Sequence, residues 1–282
     1  MKIALLTMTN QSDMARKGEI PLERALDKAD ISFEWIEWNR HVDWSDYDIA
    51  LVRTTWDYQA HYEQFLSRLE KIDQSSCLLL NNLKTIKWNS DKNYLFELEE
   101  KGIPIVPTKK LKDLPLDEAF NYFEVREVIV KPTVSASAHN TFLLSFDNYK
   151  DYLEEINRVS QVKELLIQPK IESVIEEGEF SLHFFAGEHS HTILKKPKEG
   201  DFRSQEEYGS HIIPVSPEKE LMAAARFALE KCEIPLYARV DLVRGPKHWY
   251  LMELELIEPC LYFDMDSEAA DRLVRKLKEV VS

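Results

Sequence analysis

The chain has 282 residues, with 36 basic against 50 acidic side chains for a formal charge of −14, and 44% of its residues are hydrophobic. That is the composition of a soluble globular protein of two domains, or of one with a sizeable appendage. The acidity, and the lack of any Lys/Arg block or long apolar run, argue against nucleic acid or a membrane as partner.

In chain order, strand and helix signals alternate from residue 1 to about 88. Ile3–Thr7 is a short apolar run, Pro21–Ala29 a helix, and Ile31–Ile36 and Asp48–Arg53 strands. Tyr62, Phe65, Leu66, Leu69 and Ile72 keep helical spacing before a buried strand at Cys77–Leu80. Such alternation predicts a mostly parallel sheet covered by helices, with ligands beyond the carboxyl ends of its strands. Arg53-Thr-Thr-Trp-Asp-Tyr58 occupies one of those ends. A short helix over about Ser90–Lys101, with Asn89 or Ser90 as its N-cap, stops at Gly102. Pro104 and Pro107 then impose an extended connector, and the main domain boundary falls near there.

The second half changes character, so the fold class is α/β giving way to α+β. Glu127–Pro132, Thr141–Ser145 and Leu165–Gln168 read as strands around a helix over Tyr149–Arg158. Phe180–Phe185 and Ser190–Leu194 are strands joined by the turn Ala186-Gly-Glu188. Apolar stripes mark helices through Leu221–Cys232 and Ala270–Leu277. Between them, Tyr237–Val243 and Trp249–Leu256 read as a hairpin turning at Gly245-Pro246.

That hairpin carries the clearest chemical signal. Alternation puts Glu253 and Glu255 on one face, and Arg239 and Asp241 together on one face of the partner strand. Carboxylates gathered this way need a cation, and oxygen-only ligands suit a hard ion, so Asp241, Glu253 and Glu255 are the candidate metal ligands for Mg²⁺, with Mn²⁺ as an alternative. Seven glycines, none clustered, exclude a P-loop and a dinucleotide fingerprint. Any nucleotide must therefore be held by side chains and isolated amides. Lys131 ends an apolar strand and is followed by the small, hydroxylated loop Thr133-Val-Ser-Ala-Ser-Ala138, in which Ser135 and its neighbours can bring amides to phosphate oxygens; Lys92 sits at a helix start. Gln168-Pro169 leaves a strand where backbone groups can read an adenine edge. His189 and His191 share one side of a strand by period; with no third soft ligand in view, a polar strand face is preferred to a zinc site. Cys77, Cys232 and Cys260 have no metal-type spacing and read as buried thiols of a reducing compartment. The opening residues are too short for a signal-peptide core, so the expected location is cytoplasmic.

Taken in order from about Arg53 to Pro259, these motifs resemble the ATP-grasp superfamily, in the branch of prokaryotic glutathione synthetase and the O-ureido-serine cyclo-ligase of cycloserine biosynthesis. Asn89-Ser-Asp-Lys92 and Ile129-Val-Lys-Pro132 are similar to the two ATP-contacting lysine regions. Gln168-Pro169-Lys-Ile171 looks like the hinge that meets adenine, and Gly178-Glu-Phe-Ser181 like the segment with a ribose-binding acid, which implies Glu179 with Glu176 behind it. Lys195-Lys-Pro197 and Gly200-Asp-Phe-Arg203 are similar to the synthetase's Arg-x-Pro and Gly-Asp-Phe-Arg run. The pattern departs from the family at Glu255, commonly Asn, at Gln205, which replaces the synthetase's Asn, at Gly209-Ser210, which replaces Gly-Gly, and at Ser135–Ala138, which replaces a glycine-rich lid.

The resemblance implies an N-terminal α/β domain (1–102), a central lid (103–168) and a C-terminal subdomain with the metal site (169–282), with ATP between the last two. It implies ATP and Mg²⁺ as cofactors and a carboxylate activated as an acyl phosphate for attack by an amine. Arg203 and Arg239 are then the catalytic candidates, and Lys195 and Arg203 line the substrate side. Arg53 could pair a substrate carboxylate and Asp57 an ammonium, with Trp56 and Tyr58 as walls, which suits an amino-acid-like or small-peptide substrate. Three readings stay open: an intermolecular ligase, an intramolecular cyclo-ligase, and an ATP-binding sensor without ligation. The sequence leaves room for self-association and names no general base.

Overall fold

In the computed structural model, residues 1–10, 13–135, 139–204 and 206–281 are described, with backbone only at 13 and 14. The expected positions Ala136, Ser137, Ala138 and Gln205 lie outside the described residues.

The first part is β1 (Lys2–Thr7), α1 (Asp13–Lys28), β2 (Ser32–Glu37), β3 (Ile49–Thr54), α2 (Tyr62–Asp73) and β4 (Leu78–Leu80). The strands form a parallel sheet in the order β2-β1-β3-β4. Every residue of β3 is buried, as expected of a strand covered on both faces. α1 starts well before Pro21 and carries that proline inside it. Its inner stripe is Ala15, Glu19, Leu22 and Leu26, the spacing of one helical face, with one acid among the apolar side chains.

Two short helices follow, α3 (Leu83–Asn89) and α4 (Tyr94–Glu100), in place of a single helix from Ser90. Neither is capped by Asn89, whose side chain is used elsewhere. The next group is β5 (Lys109–Lys110), α5 (Leu116–Tyr122), β6 (Glu127–Pro132), β7 (Phe142–Ser145), α6 (Leu153–Ser160) and β8 (Leu165–Pro169). Its antiparallel sheet runs β5-β8-β6-β7 over its own apolar core.

The last group is α7 (Glu172–Glu176), β9 (Glu179–Phe185), β10 (Glu188–Lys196), β11 (His211–Pro214), α8 (Lys219–Leu229), β12 (Tyr237–Arg244), β13 (Trp249–Glu255) and α9 (Ala269–Val281). Here the antiparallel order is β11-β10-β9-β12-β13. The β9–β10 turn has Ala186 at φ 47° and Gly187 at φ 79°, the left-handed pair that a tight hairpin requires. A register shift between His189 and His191 corrects the expected period. His191 stacks on His183, while His189 packs on Phe184 on the opposite face.

One face of this large sheet packs on α8 and α4. At its other side, Phe185 and Tyr237 join α9, α1 and the parallel sheet in a shared core. The sheet therefore has one wholly apolar face, and on the other the apolar packing is confined to the Phe185–Tyr237 end, which leaves the rest to carry chemistry. No helix among the described residues is long and apolar enough to cross a membrane.

Candidate active site

Residues directly opposite in an antiparallel sheet point to the same side. The register therefore lays the chemistry out in rows on the face of the large sheet turned away from α8 and α4. One row is Lys195 opposite Glu179. The next runs Ile193, Ser181, Asp241, Glu253, and the third His191, His183, Arg239, Glu255. Arg239 thus lies opposite Glu255 and beside Asp241 on its own strand, whereas Asp241 lies opposite a second acid, Glu253.

Asp241 is the centre of this pattern and is 2% exposed. It accepts from Ser181 Oγ at 2.5 Å, from Arg239 Nε at 3.0 Å and Nη2 at 3.0 Å, and from Lys195 Nζ at 3.4 Å. Burial works against its charge, but Arg239 and Lys195 outweigh that and hold the carboxyl well below the usual range. Arg239 also pairs with Glu255, and Lys195 with Glu179. Enclosure raises the Glu255 carboxyl to about 7; Arg239 opposes this, while Glu253 and Asp241 add to it. So many acids on so few strands is a charge excess that a further cation would relieve.

A cleft of about 530 Å³ lies between this face and the antiparallel sheet of the middle segment. On β6 the burial alternates, so Val128 and Val130 enter the core while Ile129 and Lys131 face the cleft. Gln168, opposite Ile129 on β8, faces it too and donates to Thr108 Oγ1 at 2.8 Å. Lys131 makes no hydrogen bond or ion pair among the described residues; burial and nearby Lys92 hold its pKa below the usual lysine range, against the pull of Glu253. Lys92 is 8% exposed and donates to Ser135 O at 2.9 Å, with Glu253 Oε1 at 3.0 Å. Where β8 runs out, Pro169 and Ile171 join Val106, Val174 and Met252 in an apolar slot. Glu179 stands near it, 7% exposed, accepting from Ser204 Oγ at 3.0 Å. On the loop before β11, Arg203 is fixed by Asp201 at 2.7 Å and lies over the Tyr208 ring, 3.6 Å from its centroid.

The structure thus brings Lys92, Lys131, Ser135, Gln168, Pro169, Ile171, Glu179, Lys195, Arg203, Arg239, Asp241, Glu253 and Glu255 to one cleft, with Trp56 and Tyr58 at its N-terminal wall. It does not bring Arg53, Asp57 or Glu176 there. Arg53 is fully buried and pairs with Glu19 at 2.7 Å. Asp57 accepts from Trp38 Nε1 at 2.7 Å and from Thr9 N at 3.0 Å. Glu176 is exposed on α7. Cys260 and Glu258 line the cleft without having been expected there. They lie past the end of β13, where strand alternation no longer says which way a side chain points. Cys77 is buried, whereas Cys232 and Cys260 are half-buried.

Among the described residues, no three His, Cys, Asp or Glu side chains are arranged to hold a metal ion as they stand, because each acid is turned to a neighbouring cation. The donor chemistry nevertheless fits Mg²⁺: Asp241, Glu253 and Glu255 are hard oxygen donors on adjacent strands of one face, in a site with surplus negative charge.

Residues 3–81 match the family model described as "D-cycloserine synthetase DcsG, N-terminal domain". The chain is 27% identical over 281 residues to the cycloserine biosynthesis protein DcsG of Streptomyces lavendulae, covering 92% of each. Its structure is similar to the crystal structure of D-cycloserine synthetase DcsG, with a TM-score of 0.89 at 26% identity and full coverage of both chains. D-alanine–D-alanine ligase from Bacillus anthracis matches at a TM-score of 0.72 and 18% identity, covering 99% of this chain and 96% of that one. Over its whole length the chain is therefore similar in sequence and in fold to D-cycloserine synthetase DcsG, and it shares the fold of D-alanine–D-alanine ligase.

Proposed function

We propose that the protein is an ATP- and Mg²⁺-dependent ligase acting on a small amino-acid-like or peptide carboxylate. The observation that carries this is the cleft in which an apolar slot, two lysines and an acid-rich sheet face meet. The slot of Val106, Ile129, Ile171, Val174 and Met252 takes the adenine plane, and Glu179 accepts from the ribose hydroxyls. Lys92 and Lys131 hold the phosphates. Asp241, Glu253 and Glu255 are the residues that would hold Mg²⁺, whose bound charge would neutralise the phosphate oxygens.

A carboxylate is a poor electrophile because oxide is a poor leaving group. One carboxylate oxygen attacks the γ-phosphorus, ADP leaves, and an acyl phosphate results. A nitrogen then adds to the acyl carbon, phosphate departs, and the nitrogen loses a proton. What the protein supplies is positioning and charge: Arg239, Lys195 and Arg203 face the oxygens on which negative charge builds.

Ring closure within one substrate is favoured over joining two by a specific observation. The N-terminal segment, which supplies the substrate-side walls Trp56 and Tyr58, is the part that matches the D-cycloserine synthetase family model. The test is Mg²⁺-dependent ADP release with O-ureido-serine alone, compared with D-alanine and other amino acids in pairs, with product masses measured. ADP release with O-ureido-serine alone supports cyclisation; release only with a pair supports intermolecular ligation. Glu253→Ala should fold and lose turnover. ATP that raises Tm while no carboxylate triggers ADP formation would sink the ligase reading.

A further inference from the structure

Past β13 the chain runs Glu258-Pro259-Cys260 along the N-terminal end of the cleft, and side chains from elsewhere hold each of its three carbonyls. Trp56 Nε1 donates to Glu258 O at 3.1 Å, Arg53 Nη2 to Pro259 O at 3.3 Å, and Arg239 Nη1 to Cys260 O at 3.2 Å. Tyr262 follows in the left-handed region, at φ 45°, and also lines the cleft. A bulky residue held there costs about 1 kcal/mol or more, so the surroundings over-determine this turn.

On that fixed backbone the Glu258 carboxylate is half-buried and lines the cleft. Among the described residues it accepts no side-chain hydrogen bond and forms no ion pair. The other acids of the inner wall differ: Glu19, Glu179, Asp241, Glu253 and Glu255 each face a cation of the chain. An enclosed carboxylate with no cation paired to it is costly: enclosure and nearby Glu255 lift this one to about 8, against the weaker pull of Lys92 and of its own backbone N–H. It stands beyond the sheet rows that carry the candidate metal ligands, beside the indole of Trp56, whose face also suits a cation.

We infer that Glu258 receives the protonated amine of the substrate, so that the cleft takes a zwitterion, such as an amino acid, rather than a plain carboxylic acid. This rests on the ligase reading above and narrows its substrate. An amine held as ammonium has no free lone pair, so the attacking nitrogen is a different one.

The test is calorimetry in saturating Mg-ADP with two matched pairs: D-alanine against propionate, and D-cycloserine against isoxazolidin-3-one, which lacks only the amine. Wild-type protein should prefer the amine in at least one pair by roughly ten- to a hundred-fold. Glu258→Gln should abolish that preference with Mg-ADP uptake unchanged, and Glu258→Asp should keep part of it. The inference is overturned if wild type shows no preference in either pair, or if Glu258→Gln retains it. Equal weakening of Mg-ADP in Glu258→Gln also overturns it, because the carboxylate then serves the metal. Failure of wild type to take up Mg-ADP at all would instead sink the ligase reading.

Discussion

Arg203 is held before any substrate arrives, by Asp201 on one side and the Tyr208 ring on the other. Such preorganisation matters because a guanidinium that need not be ordered during the reaction stabilises developing charge at no further entropic cost. Removing one stabiliser of this kind typically lowers kcat by roughly 10²–10³. Arg203→Ala should show that loss with ATP affinity little changed, and Asp201→Asn a smaller loss in the same direction. A fall of only a few-fold in Arg203→Ala demotes the residue to substrate binding. His191 offers a separate test, on stability. Its Nε2 is 2.9 Å from Leu261 O, a group that can only accept, so that nitrogen carries the proton. Burial pushes the imidazole down from 6.5 to about 4. The unfolded chain therefore binds a proton that the folded one refuses between those values. Stability is complete above pH 6.5 and is lost as pH falls towards 4, by up to about 3 kcal/mol from this group. His183, fully buried and with neither ring nitrogen paired among the described residues, is pushed down in the same direction by burial and by His191. Urea titrations from pH 7 to pH 4 should show the decline, and His191→Gln should flatten it.

At the scale of elements, β13 is an edge strand that carries Glu253 and Glu255, and its open side is sealed by side chains. Asn89 donates to Leu254 O at 2.7 Å and accepts from Leu256 N at 2.8 Å, while Tyr94 OH accepts from Leu254 N at 2.9 Å. Higher up, Leu251 bonds Pro104 O and Val106 N across the connector. An edge paired this way cannot recruit another chain and cannot fray, which fixes the two acids. Asn89→Ala leaves a buried N–H and C=O unpaired, so it should cost about 2–4 kcal/mol in urea unfolding and weaken Mg-nucleotide binding. Unchanged stability would mean that water replaces the amide. The strands themselves, β12 and β13 above all, were legible because alternation is local: the facing of Arg239, Asp241, Glu253 and Glu255 follows from period two alone. What alternation cannot reach was missed. Asn89 reads locally as a cap, and only the tertiary fold turns it to β13. The bulge that parts His189 from His191 inserts one residue without a local signal. Starting α1 at Pro21 cut off Glu19, the acid within its buried stripe, and with it the partner that keeps Arg53 from the cleft. Arg53 and Asp57 read as ligand-seeking charges because their intramolecular partners are far apart in sequence.

At the scale of the whole molecule, the substrate side and the chemical side are fastened through a few buried polar groups. Asn81 donates to Tyr237 O and Leu256 O and accepts from Leu236 N, joining the end of β4 to both strands of the active hairpin. Arg53 does the same from β3, reaching Glu19 on α1 and Pro259 O beyond β13. The Arg53–Glu19 pair is 0% and 4% exposed, so neither charge can fall back on water. Taking away one partner of a buried pair costs about 3–5 kcal/mol, chiefly because the other charge stays buried alone, whereas replacing both with apolar groups is often neutral. Glu19→Leu should therefore be strongly destabilised, and Glu19→Leu with Arg53→Met should recover most of the loss. Stability and turnover should then separate. The double variant still lacks the donor to Pro259 O, so the Glu258–Cys260 turn loses one of its three holds and KM for the carboxylate substrate should rise while that for ATP stays put. Recovery of both stability and substrate KM would show that the pair only fills the core, and that the turn is fixed by Trp56 and Arg239 without it.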